Sequence, residues 1–362
     1  MFIAAAFGRT VAACFVALAS AVGTGCDGAQ ERDVARLIET FDSLRIEAGI
    51  PGLAVAIIHD SEVLEITGLG HANVENGVPV DPDTPFRIAS VTKPISATVA
   101  LILRERGVLD LDAEMSGFNG FNELCADAKA AGGIFFDDWA CDDPRLTLRH
   151  VLSMTANGAP GERFFYNPVS FSWASRPMAQ LAGTGFSDLV EELVFRPVGM
   201  MRSARIHRAL PLRAELADDL ATPYHIAEDL TLRPSAPLPA QGDGAAGGIV
   251  STVRDLAAFD MALDAGGLLE LSVREEMWTP AGATIPYGLG WFVTDVAGER
   301  VVWHTGLWEG AYSALYLKIP ARRYTLILLA NSDGLRWESR LNEAVLERSP
   351  FARAFLDMVS RH

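Results

Sequence analysis

The stretch Ser90-Val91-Thr92-Lys93 places a hydroxyl and an amine three residues apart, at the start of a predicted helix. Residues with this spacing share one helix face, so the Lys93 amine can reach the Ser90 oxygen. The positive end of the helix dipole favours an alkoxide there, and an amine that is partly neutral can accept the hydroxyl proton. The pattern therefore predicts a nucleophile with its base. S-x-x-K alone is weak, because surface helix starts produce it by chance.

Two further segments carry groups of the same kind. Tyr166 stands just before a predicted helix, and His304-Thr305-Gly306 precedes the strand pattern at 311–319. A phenol can pass protons, and an imidazole or hydroxyl at the head of a strand can contact a substrate. Two structural alternatives stay open: Tyr166 as a packed aromatic residue beside its two phenylalanine neighbours, and His304 as a structural histidine at a strand end.

The three motifs in this order resemble the serine β-lactamase and penicillin-binding-protein superfamily, most closely the class C β-lactamase-related esterases and peptidases. The resemblance extends over about residues 35–335. The stretches that support it are Ile88–Pro94, Leu146–Leu152, Gly247–Thr252 and Tyr287–Trp291. Membership implies the fold, a covalent acyl-enzyme and roles for individual residues.

The resemblance implies that Ser90 is the nucleophile and that Lys93 is hydrogen-bonded to it. Tyr166 would act as general base for Ser90 and then as acid for the leaving group. The backbone N–H groups of Ser90 and Leu307 would form the oxyanion hole.

The resemblance also implies a substrate-binding edge formed by His304, Thr305 and Gly306. Three departures from the family pattern stand out. The Y-x-N motif has Pro168 at its last position, which leaves Asn167, one residue early, as the candidate substrate contact. His304 replaces the usual lysine, and the stretch 155–160 is short. Each favours esters or small amides over β-lactams, since a mostly neutral imidazole holds a substrate carboxylate poorly.

Hydrophobic periodicity predicts an α+β protein. An antiparallel sheet is built from N- and C-terminal strands and flanked by helices, and a mainly helical domain is inserted between them. The predicted domains are 27–110 with 250–349 for the sheet, 111–249 for the insertion and 350–362 for a C-terminal tail. The predicted helices are 31–48, 91–106, 147–154, 169–182, 187–195, 252–265 and 335–347. The predicted strands are 53–58, 62–67, 287–293, 301–303, 311–319 and 324–330. Residues 115–145 and 231–244 are predicted as loops.

Residues 1–26 resemble a signal peptide, with Arg9 followed by an apolar run of 12 residues, Val11 to Val22. About 20 residues are needed to span a bilayer, so this run is too short. An A-x-A site at Ala19–Ala21 would release a soluble protein. A loose lipobox at Gly23–Cys26 would instead attach lipid to Cys26. An uncleaved N-terminal anchor is the third alternative. All three alternatives predict a protein that is exported to the periplasm or cell envelope. Only its N-terminus would contact the membrane.

Cysteine counting favours the lipoprotein slightly. Lipidation of Cys26 leaves Cys125 and Cys141 as an even pair in an oxidising compartment, whereas soluble cleavage leaves three cysteines. We expect Cys125 and Cys141 to form a disulfide across a surface loop. The alternative is two unpaired thiols.

Composition excludes several classes of function. A formal net charge of −16 argues against nucleic-acid binding. The seven histidines form no metal-ligand motif, so no metal and no other cofactor is expected. Gly242–Gly247 fits G-x-G-x-x-G but follows a proline-rich segment rather than a strand. Ala330–Gly334 resembles a nucleophile elbow but lacks the later acid and histidine.

The sequence thus predicts an exported serine hydrolase that forms an acyl-enzyme with small esters, amides or peptides. The alternatives are a non-catalytic envelope protein of the same fold, a true β-lactamase or a D-Ala peptidase. A metal-dependent hydrolase would need a ligand cluster. The natural substrate and the oligomeric state are not predicted.

Overall fold

The computed structural model describes residues 27–227, 229–239, 242–335 and 345–362. In these residues the longer β-strands lie toward the N- and C-terminal parts of the chain, and the strands between them have two or three residues. In chain order, the strands of these residues are β1 (Gly52–His59), β2 (Glu62–Asn73), β3 (Val78–Pro79), β4 (Phe86–Arg87), β5 (Ala204–Arg205), β6 (Tyr224–Ile226), β7 (Leu232–Pro234), β8 (Ile249–Ser251), β9 (Phe292–Val296), β10 (Glu299–Trp308), β11 (Tyr312–Ile319) and β12 (Tyr324–Ala330).

A seven-stranded antiparallel sheet combines strands from both ends of the chain, in the order β3-β2-β1-β12-β11-β10-β9. The two ends meet where β1 pairs with β12, with Leu53 opposite Ala330 and His59 opposite Tyr324. A small sheet in the order β4-β8-β5 and the hairpin β6-β7 lie outside it. The predicted α+β architecture, with an antiparallel sheet completed by both ends of the chain, is confirmed.

Helices cover both faces of this sheet. The helices of the described residues are α1 (Asp27–Glu47), α2 (Thr92–Glu105), α3 (Phe121–Ala131), α4 (Leu148–Leu152), α5 (Pro168–Ser172), α6 (Ser175–Ala182), α7 (Phe186–Val190), α8 (Arg196–Val198), α9 (Ala214–Asp219), α10 (Val253–Asp264), α11 (Leu271–Met277) and α12 (Pro350–Val359). Almost every residue of β1, β11 and β12 is buried, so both faces of these strands are covered rather than one. α10 packs on β1, β2 and β12, and α1 packs on β2 and α12. None of the helices in the described ranges is long and apolar enough to cross a membrane.

The middle of the chain differs from the sequence prediction in both segments that are predicted as loops. Residues 231–244 contain β7, which pairs with β6. Residues 115–145 contain α3. Its buried positions are Phe121, Cys125 and Ala128, spaced as on a helix face. Two of the three are small side chains, which weakens the apolar periodicity. The predicted disulfide between Cys125 and Cys141 is confirmed, with a Cα–Cα distance of 5.4 Å, and it joins α3 to the loop that follows.

Two other elements also depart from the prediction. The strand expected at 287–293 begins only at Phe292, because Gly288 and Gly290 bring the preceding backbone against neighbouring segments. Most of the helix predicted at 335–347 falls at 336–344, outside the described residues. α12 was not predicted. It begins at Pro350 with Ser349 as its N-cap, and its apolar face packs on α1. The division into a sheet domain and an insertion at 111–249 stays a prediction.

Candidate active site

Ser90 lies in a single 3₁₀ turn, Ala89–Val91, that leads directly into α2. Ala89 adopts a left-handed backbone conformation with φ of 46°, which is unfavourable for a residue with a side chain. The Ile88 N–H donates to the Ile249 carbonyl at 3.1 Å and anchors the turn to β8. The serine side chain is partly exposed and faces a cavity of about 530 Å³.

Lys93 lies one turn further along α2 and is completely buried. Its Nζ donates to Ser90 Oγ at 2.8 Å and to the Ala246 carbonyl at 3.0 Å. No carboxylate pairs with this amine among the residues that the structure describes. Burial therefore lowers the pKa of Lys93 to about 7, because no negative charge among these contacts offsets the loss of hydration of the ammonium. Near neutral pH about half of the amine is free to accept a proton.

Tyr166 reaches the same cavity from the loop before α5. Its ring stacks on Phe292 with a centroid distance of 5.9 Å, and Lys93 Nζ lies 5.2 Å from the ring centroid. Burial raises the pKa of the Tyr166 phenol, and the nearby Ser90 hydroxyl opposes part of that rise. The phenol oxygen is buried and makes no hydrogen bond of normal geometry within the described residues. It is therefore a protonated group that points at the reacting serine.

The loop of residues 242–248 supplies the Ala246 carbonyl that the active-site amine contacts. Arg205, which is buried, holds this loop by donating to the Gly244 carbonyl at 2.9 Å and to Asp243 Oδ1 at 3.0 Å. In the sequence this loop carries a G-x-G-x-x-G pattern without the strand that a nucleotide site needs, and only its end, from Gly247, belongs to a stretch that supports the family resemblance. The signal for its importance is the density of glycine, because a Cβ at Gly244 would lie 1.8 Å from the Ser172 hydroxyl oxygen.

Strand β10 approaches the nucleophile turn through Gly306. A Cβ at this position would lie 2.2 Å from the Ile88 carbonyl oxygen, so only glycine allows the contact. β9 pairs with β10 only as far as Trp303, and no other described strand covers that side of residues 304–308. Leu307 follows on this uncovered edge and lines the Ser90 cavity. The edge is thus positioned to offer a backbone N–H to a substrate.

His304 and Thr305 lie on this edge but are turned into the protein. His304 is completely buried; its Nε2 is 2.9 Å from the Tyr287 hydroxyl and its Nδ1 is 2.6 Å from the Thr305 carbonyl. Burial, with the nearby Lys93 charge, lowers the pKa of His304 well below its usual value. The imidazole is neutral and both its nitrogens are occupied. The Thr305 hydroxyl is buried without a partner in the described part of the chain.

Asn167 does not face the cavity. Its side-chain oxygen accepts from the backbone N–H groups of Val169 and Ser170 and so caps α5, and its amide donates to Asn157 Oδ1 and to the Phe135 carbonyl. The structure therefore uses this amide to order the Tyr166 loop. Pro168, at the position of the family asparagine, lines the cavity and offers no hydrogen bond.

One cluster of metal-ligand type occurs in the described ranges, formed by Cys125, Cys141 and Asp142. Its two sulfur atoms are joined in the disulfide, and a disulfide sulfur is not the thiolate that binds metals. This cluster does not lie among the residues that line the Ser90 cavity.

The fold and this site are those of a serine hydrolase: a serine is hydrogen-bonded to a lysine at the start of a helix, beside the edge of an antiparallel sheet. The family model described as "Beta-lactamase" matches residues 34–348, and the chain belongs to that family.

The relatives of this chain include proteins named as a penicillin-binding protein and as a peptidase. It is 24% identical over 301 residues to "Penicillin-binding protein 4*" of Bacillus subtilis, covering 75% of this chain and 66% of that protein. It is 26% identical over 327 residues to "D-aminopeptidase" of Gluconobacter oxydans, covering 80% and 59%. The chain thus spans about three fifths to two thirds of these curated relatives.

The fold is shared with a solved structure titled "EstCE1, a hydrolase with promiscuous acyltransferase activity". The TM-score is 0.71 at 18% identity, covering 91% of this chain and 99% of the other. At this level of identity the similarity shows the fold alone.

The contact at Gly306 gives a test of how the two sides of the site are held together. Gly306→Ala must push β10 away from the Ile88 carbonyl, so we expect kcat/KM for a 4-nitrophenyl ester to fall at least about 10-fold, with a stability loss of about 1–3 kcal/mol. Gly117→Ala is the matched control, because a Cβ there meets nothing within 4 Å. Initial rates and thermal melts measure both. Wild-type kinetics in Gly306→Ala would show that the close approach is not needed.

Proposed function

We propose that this chain is an exported serine hydrolase that forms an acyl-enzyme at Ser90 and cleaves small esters or amides. The observation that carries the proposal is the fully buried Lys93 amine, 2.8 Å from Ser90 Oγ, with its pKa lowered to about 7. A surface lysine would be protonated at neutral pH and could not accept the serine proton. The relative named as a D-aminopeptidase supports acyl chemistry.

Acylation begins when the Ser90 proton moves to Lys93 Nζ and Ser90 Oγ bonds to the substrate carbonyl carbon. The resemblance to the family suggests Tyr166 as this base, but burial raises the pKa of Tyr166 and disfavours the phenolate. We therefore assign the base to Lys93. The negative charge on the former carbonyl oxygen is stabilised by the N–H groups of Ser90 and Leu307, where each donor contributes about 100- to 1,000-fold.

The bond from the carbonyl carbon to the leaving alcohol or amine then breaks. The Tyr166 phenol gives its proton to the leaving group and regains one from the Lys93 ammonium, so the site returns to its starting charge. Water next attacks the acyl carbon and passes a proton to Lys93. The bond from this carbon to Ser90 Oγ then breaks, Lys93 returns the proton to Ser90 Oγ, and the carboxylic acid leaves. The protonated state of the buried phenol suits this donor role.

The substrate-binding edge supports esters and simple amides over β-lactams. The carboxylate of a β-lactam needs a cation at the His304–Gly306 part of β10, and His304 is neutral there with both nitrogens engaged. Asn167 and Pro168 offer no replacement on the other side of the cavity.

A substrate panel tests the proposal. We expect hydrolysis of 4-nitrophenyl acetate and butyrate with kcat/KM at least about 100-fold above that for nitrocefin, because a missing buried charge contact costs about 3 kcal/mol or more. Activity should persist in a metal chelator. Efficient nitrocefin turnover would overturn the ester preference. A folded protein with neither ester nor lactam activity would instead favour a non-catalytic role.

Export is part of the same proposal. The disulfide between Cys125 and Cys141 supports it, since such bonds persist in oxidising compartments. The signal peptide and the lipid attachment at Cys26 lie outside the described residues and stay predictions from sequence. Intact mass spectrometry of the membrane and soluble fractions distinguishes a lipidated Cys26 from cleavage after Ala21.

A further inference from the structure

A second cavity of about 310 Å³ adjoins the one that holds Ser90. The two share Ala89 and Trp308 as walls, so the cavities meet beside the nucleophile turn. Most of the lining of the second cavity is apolar, contributed by Ile206, Leu210, Leu212, Leu238, Ile249 and the shared tryptophan. A small apolar space that continues from a reacting serine fits the apolar part of a substrate.

Arg87 also lines this second cavity, which is called the Arg87 cavity below. Arg87 ends β4, three residues before Ser90, and its guanidinium lies 5.9 Å from the centroid of the Trp308 ring. It makes no ion pair or side-chain hydrogen bond with any described residue. Arginine stays charged even when partly buried, so the guanidinium is a cation that lacks a carboxylate partner in the described part of the protein.

The charge of the lining is unusual for this chain. The protein has 46 acidic against 30 basic residues, yet Arg87 and Arg208 line the cavity and no acidic residue does. Asp243 lies 4.0 Å from the ring nitrogen of the lining residue His207, and its carboxylate is engaged by Arg205. The cavity is therefore apolar with a positive end.

Chain geometry limits how far the cation lies from the reaction. Three residues separate Arg87 from Ser90, so their Cα atoms are at most about 11 Å apart. An acyl chain of a few carbons attached to Ser90 spans a distance of this order. His304 cannot bind an anion on the other side, because it is neutral and buried. The cationic group that remains near Ser90 is thus Arg87, in the cavity that adjoins the nucleophile turn.

We propose that the Arg87 cavity binds the acyl part of the substrate and selects a short apolar chain that ends in a carboxylate. The proposal rests on the acyl-enzyme at Ser90. The apolar walls cover the methylene groups, and the Arg87 guanidinium pairs with the terminal carboxylate, which remains unreacted while the ester or amide bond at the other end is cleaved.

The test compares two esters whose acyl groups have the same number of carbons, 4-nitrophenyl hexanoate and mono-4-nitrophenyl adipate, after subtraction of spontaneous hydrolysis. We expect the wild type to prefer the adipate ester by about 10-fold or more in kcat/KM, the effect of one charge-assisted contact. Arg87→Gln should remove this preference, chiefly through KM, and change hexanoate turnover little. Arg322→Gln, an exposed arginine paired with Glu299, should keep it.

A second variant keeps the proposal testable if Arg87→Gln folds poorly. Leu210→Trp adds volume at a partly exposed wall of the cavity. It should lower kcat/KM for both six-carbon esters by about 10-fold and leave 4-nitrophenyl acetate almost unchanged, since acetate does not reach the wall.

Some outcomes separate this inference from the proposed function. Acetate and hexanoate hydrolysis through Ser90, with no adipate preference and no effect of Arg87→Gln, overturns the inference and leaves the hydrolase intact. Leu210→Trp kinetics equal to wild type overturn the placement of the acyl chain. Absence of any Ser90-dependent hydrolysis overturns both proposals.

Discussion

Replacing Ser90 with alanine is expected to lower kcat for 4-nitrophenyl acetate by about 10,000-fold or more, the usual cost of deleting a nucleophile. The other groups of the site cannot substitute for it. Tyr166 remains protonated, and Lys93 loses the oxygen it contacts at 2.8 Å. Steady-state rates of purified protein, with circular dichroism to show that the variant is folded, make the measurement.

Ser172 provides a matched control for this experiment. It also lines the cavity but contacts no amine among the described residues. Ser172→Ala should lower kcat by less than about 10-fold, as expected of a side chain that only borders the substrate. Retention of most activity in Ser90→Ala, or its loss only in Ser172→Ala, would contradict the assignment of the nucleophile.

The second large effect concerns pH. We expect kcat/KM to rise with pH through about 7, because Lys93 must lose its proton before it can accept the one from Ser90. Below this pH the ammonium predominates and activity falls. Above it the rate should reach a plateau that continues past pH 10, since burial raises the pKa of Tyr166 and keeps the proton donor intact.

Lys93→Met tests which group produces this profile. Methionine fills a similar volume without an amine, so we expect kcat/KM to fall about 100- to 10,000-fold and the inflection near pH 7 to vanish from the residual activity. Lys129→Met is the control, because Lys129 is a surface residue paired with Asp142. An unchanged inflection in Lys93→Met would assign the titration to another group.

The nucleophile pair could be predicted from sequence because its geometry is local. Residues three apart at a helix start must lie on one face, and the structure places Ser90 and Lys93 in direct contact. The meeting of Tyr166 with this pair is not local, and it was inferred only from the order of the motifs in a known family. The antiparallel sheet could also be predicted from sequence, because the apolar runs near both ends of the chain are joined by short connections.

The substrate-binding details could not be predicted in the same way. The orientation of His304 depends on its partners, the Tyr287 hydroxyl and the Thr305 carbonyl, and no sequence pattern specifies them. The Asn167 side chain caps α5 and is therefore not available to a substrate. Any asparagine that precedes a helix can take this capping role instead of binding a substrate. The Arg87 cavity is assembled from separate segments between residues 87 and 308, so their proximity follows from the fold and not from any local pattern.

The proposed mechanism depends most directly on a covalent bond at Ser90. Incubation with a fluorophosphonate, followed by proteolysis and peptide mass spectrometry, identifies the residue that reacts. We predict one adduct, on Ser90, that forms faster as the pH rises through about 7. A folded protein that hydrolyses esters while Ser90 stays unmodified, or that carries its adduct on another residue, would contradict the mechanism.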